Sequence, residues 1–525
     1  MKKIIYQEKK MGNNSNVYPG LISTIIFLII TLLSCRKFVE VPAPLNSINA
    51  NNVFENDKTA IQALTSVYAS MADDNARFLE QSYSSIFLFG GLSADEFTLY
   101  DKNYPLYSAY YRNALSQGSN GVLVGSTFWS GTFSLIFRIN STVEGLEKST
   151  GLSPIVKRQL QGEALFLRAY SYFLLVNLYG DTPISLTTDP AKNRLLARSP
   201  KADVYTQIVN DLLQSQQLLS DNYLDADLKS SKNSTGRVRP TKWAATALLS
   251  RAYLYMGRYP DAIIQSESVI NNSSLFKLEP LNSVFLNKSL ETIWCLQPIV
   301  AGGGSGYNTG ESSIFILSAN GPTSSSTIGI GSTPFYLSDS ILGAFEPGDA
   351  RRSDWIGKIT ANGIDYFFPY KYKAPKSQTA NTESQVLFRL AEQYLIRAEA
   401  KARHADLSGA LSDLNVLRSR ARATPSVLVP NPLPNLIVGM SLIDVLKAIE
   451  HERQIELFAE NGHRWFDLKR TPGFTNPQIS RADEIMPTIT SNKGGIWNSN
   501  WKLYPLPSAD LFADPNLINT QNPGY

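Results

Sequence analysis

The sequence predicts a mainly α-helical protein, an α-α superhelical scaffold of paired helices carrying long irregular loops. Three observations lead there. Residues 241–270 read as two short helices folded back on each other: Trp243, Ala247, Leu248, Ala252 and Tyr255 recur at three- and four-residue steps and so share one helical face. Arg168-Ala169-Tyr170, Arg251-Ala252-Tyr253 and Arg397-Ala398-Glu399 mark three similar helices. Finally, residues 77–111 and 301–345 are rich in Gly, Ser, Asn and aromatics without sustained helical period, which reads as loop.

The hairpin is the pattern for the rest. Gly257 follows its first helix, where a left-handed residue can end a helix at no steric cost. Pro260 and Asp261 open the second helix, whose stripe is Ala262, Ile263, Val269 and Ile270. Leu249, Ser250, Tyr253, Gly257, Tyr259 and Ala262 fall at tetratricopeptide-repeat positions, with Ser266 in place of a further aromatic. One such pair cannot bury its apolar face alone, so related pairs must stack on it. The helix containing Arg397 leads through a longer turn into Leu407-Ser408-Gly409-Ala410-Leu411, a counterpart of Tyr259-Pro260-Asp261-Ala262-Ile263.

From the amino end, Lys2, Lys3, Lys9 and Lys10 precede the apolar run 21–33, too short for a comfortable membrane span and suited to a signal-peptide core. Leu32-Leu33-Ser34-Cys35 matches a bacterial lipobox, so residues 1–34 are expected to be a lipoprotein signal peptide and Cys35 the lipidated residue. Several acyl chains on Cys35 would give stable attachment where one gives marginal attachment. Only Cys295 would then remain, so no intrachain disulfide is expected in the mature chain. The formal charge of +4 is mostly leader: four lysines against Glu8 leave with it. A near-neutral mature chain argues against a nucleic-acid partner.

Beyond the tether at Val41-Pro42-Ala43-Pro44, residues 59–71 form a helix with Ile61, Leu64, Val67 or Tyr68, and Met71 inward. Residues 88–99 read as a loop. Residues 127–148 are helical, with Trp129, Phe133, Ile136 and Ile139 apolar. Residues 441–458 form a helix with an N-cap at Ser441 and Asp444 three residues later. Trp243, Trp465 and Trp501 are expected in the core.

Three further stretches resemble one family. Residues 161–184, QGEALFLRAYSYFLLVNLYGDTPI, carry an R-A-x-x-Y/F-x-L-L helix followed by L-Y-G-D-x-P. Residues 452–471, ERQIELFAENGHRWFDLKRT, are similar to an E-R-x-x-E-F box ending in D-L-x-R. The close, Leu503-Tyr504-Pro505-Leu506-Pro507 with an Asn- and Pro-rich tail, is the third. The mature chain thus resembles the SusD/RagB family of Bacteroidetes outer-membrane lipoproteins. The resemblance implies a tetratricopeptide-like SusD fold, with 35–240 an N-terminal region and 241–525 a C-terminal region of one compact unit. It also implies a lipid-anchored place on the outer membrane facing the cell exterior, a SusC-like TonB-dependent β-barrel transporter as partner, and a glycan to be delivered to it. A RagB-like peptide ligand is the alternative, a lipoprotein glycosidase a more distant one. No enzymatic activity and no cofactor are implied.

A search for chemistry agrees. His451-Glu452 begins like a zinc-protease H-E-x-x-H, but Ile455 stands where the second ligand must be. His404 and His463 read as solvated or capping. Gly302-Gly303-Gly304-Ser305-Gly306 lacks the Lys-Ser/Thr of a phosphate loop. A glycosidase needs two facing carboxylates. Asp95 and Glu96 are merely adjacent, while Glu452, Glu456 and Glu460, beside Arg453, Arg464 and Lys469, read as a salt-bridged scaffold, as does Asp467. Residues 341–372, with Phe345, Asp349, Arg351 and Arg352, are also read as structural. Sugar binding instead needs flat faces to stack on and planar polar groups, best carried by loops on a rigid frame. The candidates are Arg77, Tyr83, Tyr100, Asn103, Tyr104 and Tyr107 in the first loop, and Tyr307, Asn308, Phe335 and Tyr336 in the second.

Overall fold

The structure is a computed structural model, and it describes residues 52–72, 85–115, 124–231, 236–298, 308–324, 333–375, 378 and 380–525. The signal peptide, Cys35, the tether, Arg77, Tyr83, the glycine run 302–306 and Tyr307 lie outside the described residues.

Helix α1 (Asp57–Met71) opens on Asn56, whose side chain accepts from the Thr59 N–H at 3.1 Å, and it buries Ala60, Leu64, Val67 and Met71 at alternating steps of four and three. Helix α2 (Ile86–Ser93) is buried on every side. The expected loop at 88–99 is therefore corrected: it is a core helix followed by strand β1 (Phe97–Leu99). Two adjacent glycines and no 3.6-residue period hid the helix. Its glycines serve close approach, since a Cβ on Gly90 would sit 2.9 Å from the Cα of Gly462. Helix α3 (Pro105–Tyr111) completes this segment.

The scaffold follows. Helix α4 (Thr127–Lys148) packs on α1, and α5 (Pro154–Tyr179), α6 (Lys201–Leu218), α7 (Lys242–Tyr255) and α8 (Tyr259–Ile270) each pack on the one before. The chain then leaves the stack to build strands β2 (Thr292–Leu296), β3 (Phe335–Leu337), β4 (Ile356–Ala361), β5 (Ile364–Pro369) and β6 (Gln385–Arg389), paired antiparallel as β1-β3, β2-β6 and β4-β5. It returns with α9 (Leu390–Arg403) against α8, followed by α10 (Leu407–Ala421) and α11 (Leu442–Glu456). Helices α12 (His463–Arg470) and α13 (Arg481–Asn492) follow, and the chain ends in a tail, residues 493–525, that carries one short α-helix at Ser508–Ala513. Phe54–Tyr525 is one compact unit.

The predicted hairpin is α7–α8. Gly257 has φ +72° between the two helices, and Pro260 lies in the first turn of the second. The amphipathic reading of α7 understated its burial: Ala244 to Leu254 are all buried, because α6, α8 and α9 surround it. The R-A-x triplets acquire a physical meaning. Arg168 on α5 grips Asp211 on α6 with two bonds of 2.8 and 2.7 Å. Arg251 on α7 grips Glu392 on α9 at 2.6 and 2.7 Å, and Arg397 on α9 grips Asp413 on α10 at 2.9 and 2.7 Å. Each arginine thus fastens its helix to another in the stack through a bidentate, geometrically selective fork. Ala169, Ala252 and Ala398, the residues after each arginine, are fully buried.

Helix α11 begins on Ser441, which caps the Asp444 N–H as expected. Its carboxylates enter a buried ionic network. Arg351 bonds Asp349 at 2.7 Å, Glu452 at 2.6 Å and Glu456 at 2.7 Å. Arg389 bonds Glu291 at 3.0 Å, Glu456 at 2.7 Å and Glu460 at 2.8 Å, while Arg420 reaches Glu291 and Glu456. Lys371 bonds Glu460 at 2.5 Å beneath the Trp355 and Phe458 rings. The scaffold reading holds, but the partners come from 349–420 rather than from the nearby Arg453, Arg464 and Lys469. Glu460 lies past the end of α11. Of the three tryptophans expected in the core, only Trp465 is there; Trp243 and Trp501 are half-buried, their indole N–H groups donating to the Asp221 and Gly524 carbonyls.

Candidate functional site

The two candidate loops meet in a three-rung ladder. Strand β1 pairs with β3 as Phe97↔Leu337, Thr98↔Tyr336 and Leu99↔Phe335, and the Tyr100 N–H extends the pairing to the Pro334 carbonyl at 2.7 Å. Strand alternation decides each side chain's fate. Phe97, Leu99, Phe335 and Leu337 turn inward, whereas Thr98 and Tyr336 turn outward and remain half-buried.

Three tyrosines gather on the outward side. The Tyr336 ring stands edge-on to Tyr366 at 5.2 Å, and Tyr100 stands edge-on to the same ring at 6.2 Å. Tyr366 comes from β5 and is buried beneath them, while Tyr100 is 49% exposed. Polar groups flank the rings. Asp101 accepts from the Asn103 N–H at 2.9 Å and from the Ser324 hydroxyl at 3.0 Å, which ties the first loop to the second. Lys102 and Asn103 are exposed. Burial first, then the neighbouring Tyr366 and Asp339, raises the Tyr336 hydroxyl above the usual tyrosine value, so it is neutral and can donate or accept.

Several expectations are corrected here. Phe335 is 2% exposed and packs against Phe97 at 5.2 Å, so its ring is closed to a ligand. Tyr107 is fully buried, and the half-buried Tyr104 ring rests on it at 5.0 Å rather than standing free. Asn308 does not project toward a ligand either: it is fully buried, and its carboxamide oxygen accepts from the Thr382 and Glu383 N–H groups at 2.8 and 2.9 Å. Tyr366 escapes the sequence reading. The Asn362-Gly363 turn between two β-rich runs is the signal that would have found its hairpin.

The carboxylates weighed for catalysis are occupied. Arg464 grips Asp95 with bonds of 2.8 and 2.9 Å, and Arg453 grips Asp467 at 2.7 Å. Glu96 is buried, accepts from the Ala459 N–H at 3.2 Å, and is pushed up to about 8 by burial and then by the Asp95 charge. His463, expected in solvent or as a cap, is buried instead; desolvation followed by nearby Arg251 and Arg453 holds it well below the ordinary imidazole value. His451 lies 3.3 Å from Glu346, and His404 is exposed at the end of α9. Among the described residues, no three His, Cys, Asp or Glu side chains are placed to hold a metal ion, and no helix is long and apolar enough to cross a membrane.

Comparison with known proteins bears on the whole chain. Residues 124–254 match a SusD-like family described as starch-binding and associating with the outer membrane, and residues 338–525 match the SusD family. SusD-like protein P2 of Formosa agariphila is 26% identical over 542 residues, covering 96% of this chain and 99% of that protein. The starch-binding protein SusD of Bacteroides thetaiotaomicron is 34% identical over 144 residues, 26% of this chain and 21% of that one. Among solved structures, a SusD superfamily protein of Bacteroides fragilis superimposes with TM-score 0.69 at 21% identity, covering 90% of this chain and 99% of that one. A laminarin-binding SusD-like protein gives TM-score 0.68 at 21% identity, over 90% and 100%. Two family matches in the motif-bearing halves and a relative aligned along both whole chains give one conclusion: this chain belongs to the SusD/RagB family.

Proposed function

We propose that the protein is a non-catalytic, lipid-anchored outer-membrane lipoprotein that binds a glycan on the Tyr100 and Tyr336 rings, which the buried Tyr366 supports from beneath, and passes it to a SusC-like TonB-dependent transporter. The observation that carries this reading is the β1–β3 ladder. It brings two separate loops together so that aromatic rings and the Asp101–Asn103–Ser324 polar group share one surface. Pyranose C–H faces pack on such rings while carboxylates and amides take the hydroxyls. The named ligands of relatives, starch and laminarin, are both neutral glucans, which suits a surface of hydroxyl-bearing aromatic rings. The engagement of Asp95, Glu452, Glu456, Glu460 and Asp467 in buried ion pairs supports binding without turnover. Residues 1–34 would be removed and Cys35 lipidated, with 35–240 and 241–525 folding together.

The test is a binding titration of the mature chain against a panel of neutral glucans and peptides. Replacing both Tyr100 and Tyr336 by alanine is expected to weaken the glycan by about tenfold or more, at roughly 0.5–1.5 kcal/mol per lost aromatic contact. Unchanged affinity in the double variant, or peptide binding with no glycan binding, would end the reading.

A further inference from the structure

A second concavity lies away from the tyrosine platform and has a different chemistry. It encloses about 480 Å³, within the range of small-molecule sites, between the α5 terminus, the start of α6, α12 and the carboxyl-terminal tail. Three of the stretches singled out in the sequence converge on it. The Tyr504 N–H donates to the Leu178 carbonyl at 2.8 Å, and the Asn522 carboxamide donates to the Tyr179 and Tyr504 carbonyls at 3.0 and 2.7 Å. Lys469 donates to the Asn177 and Lys502 carbonyls at 2.6 and 3.1 Å.

The lining is strongly basic. Arg198, Lys201, Lys469, Arg470 and Lys502 face Asp181, the one acid among the described lining residues. Two of the cations are neutralised from behind: Arg470 by Glu399 and Asp467, Lys502 by Asp483. The other three have no carboxylate ion pair among the described residues. Arg198 spends its guanidinium on neutral acceptors, the Asp181, Tyr179 and Thr520 carbonyls and the Asn522 side chain. Asp181 itself is engaged by the Lys201 backbone N–H at 2.8 Å. The amino end of α6 adds partial positive charge at the same place. Burial first, and then repulsion from the Lys201 and Lys502 charges, holds Lys469 well below the ordinary lysine value. An anion entering there would relieve that repulsion and gain charge-assisted hydrogen bonds.

We propose that this pocket binds an oxyanion, a sulfate or carboxylate group, at a site distinct from the tyrosine platform. The group arrives either on a saccharide or as a free anion. Calorimetric titration of the full chain with glucuronate, glucose and sodium sulfate, at constant ionic strength, separates these sources. Glucuronate binding at least about tenfold tighter than glucose supports a sugar-borne group, and sulfate binding without glucuronate binding supports a free anion. Lys201→Gln changes an exposed residue that makes no side-chain ion pair, so it tests the site without endangering the fold. It is expected to weaken the anion about tenfold, whereas Tyr100→Ala leaves anion binding unchanged. Arg198→Gln should weaken it too, with circular dichroism reporting whether the tail contacts survive. The proposal is overturned if neither anion binds above the chloride control, or if Lys201→Gln binds as tightly as the unaltered chain. Loss of glucan binding on Tyr100→Ala with anion binding intact would keep the two sites apart.

Discussion

Arg351→Met should be among the most damaging single changes outside the helical stack. The guanidinium is fully buried and satisfies three carboxylates: Asp349 through Nε and Nη2, and Glu452 and Glu456 through Nη1. Methionine restores packing volume but no charge. Glu456 keeps Arg389 and Arg420, and Glu452 keeps Arg418 at 3.6 Å, so the loss falls mainly on Asp349. Leaving one buried carboxylate uncompensated costs about 3–5 kcal/mol. At roughly 2.1 cal/mol/K per residue, a unit the size of Phe54–Tyr525 has an unfolding entropy of about 1 kcal/mol/K. The melting temperature should therefore fall by about 3–5 °C in scanning calorimetry. Adding Asp349→Asn removes the stranded charge, so the double variant should recover at least about 1 °C of that loss. A single variant melting within about 1 °C of the unaltered protein, or a double variant no better than the single, would refute the reasoning.

Arg251→Ala, which strands the buried Glu392, should lower the melting temperature by a similar 3–5 °C or so, whereas Arg258→Ala, which loses the exposed i,i+3 pair with Asp261 and the guanidinium contact on the Tyr253 ring at 4.3 Å, should move it by only about 1 °C. Equal shifts would mean that burial does not govern these pairs. Glu96 gives a pH test. Folded Glu96 holds its proton to about 8, while the unfolded carboxyl releases it near 4.3 or so, so between those values the folded state binds more protons and stability falls as pH rises. Glu96→Gln keeps the acceptor for the Ala459 N–H but cannot titrate, so its melting temperature should fall less steeply from pH 5 to 8. Parallel curves for the two proteins would sink the assignment.

Local patterns were legible because their causes are local. The stripe of residues 59–71, the helix at 127–148, the hairpin with Gly257 at its turn and the Ser441 cap all arise from contacts within a few residues of the chain. So did the repetition of Arg-Ala triplets, although not the carboxylate each arginine finds. Helix 86–93 escaped notice because burial on all sides erases the period that betrays an amphipathic helix.

The sequence by itself determined the helical class, the paired repeats, the family and the two aromatic-rich stretches, 77–111 and 301–345, although not the short helices and strands they contain. Only the tertiary structure decided that Phe335 turns inward and Tyr336 outward, that Tyr366 joins Tyr100 from a distant hairpin, and that His463 is buried. It also decided that Glu456 meets Arg351, Arg389 and Arg420 from three separate segments. The reason is that helix formation is encoded in neighbouring residues, whereas strand register, burial and ion pairing are set by which distant segments arrive at the same place. A one-residue step in a strand exchanges core for surface, and composition carries no record of that choice.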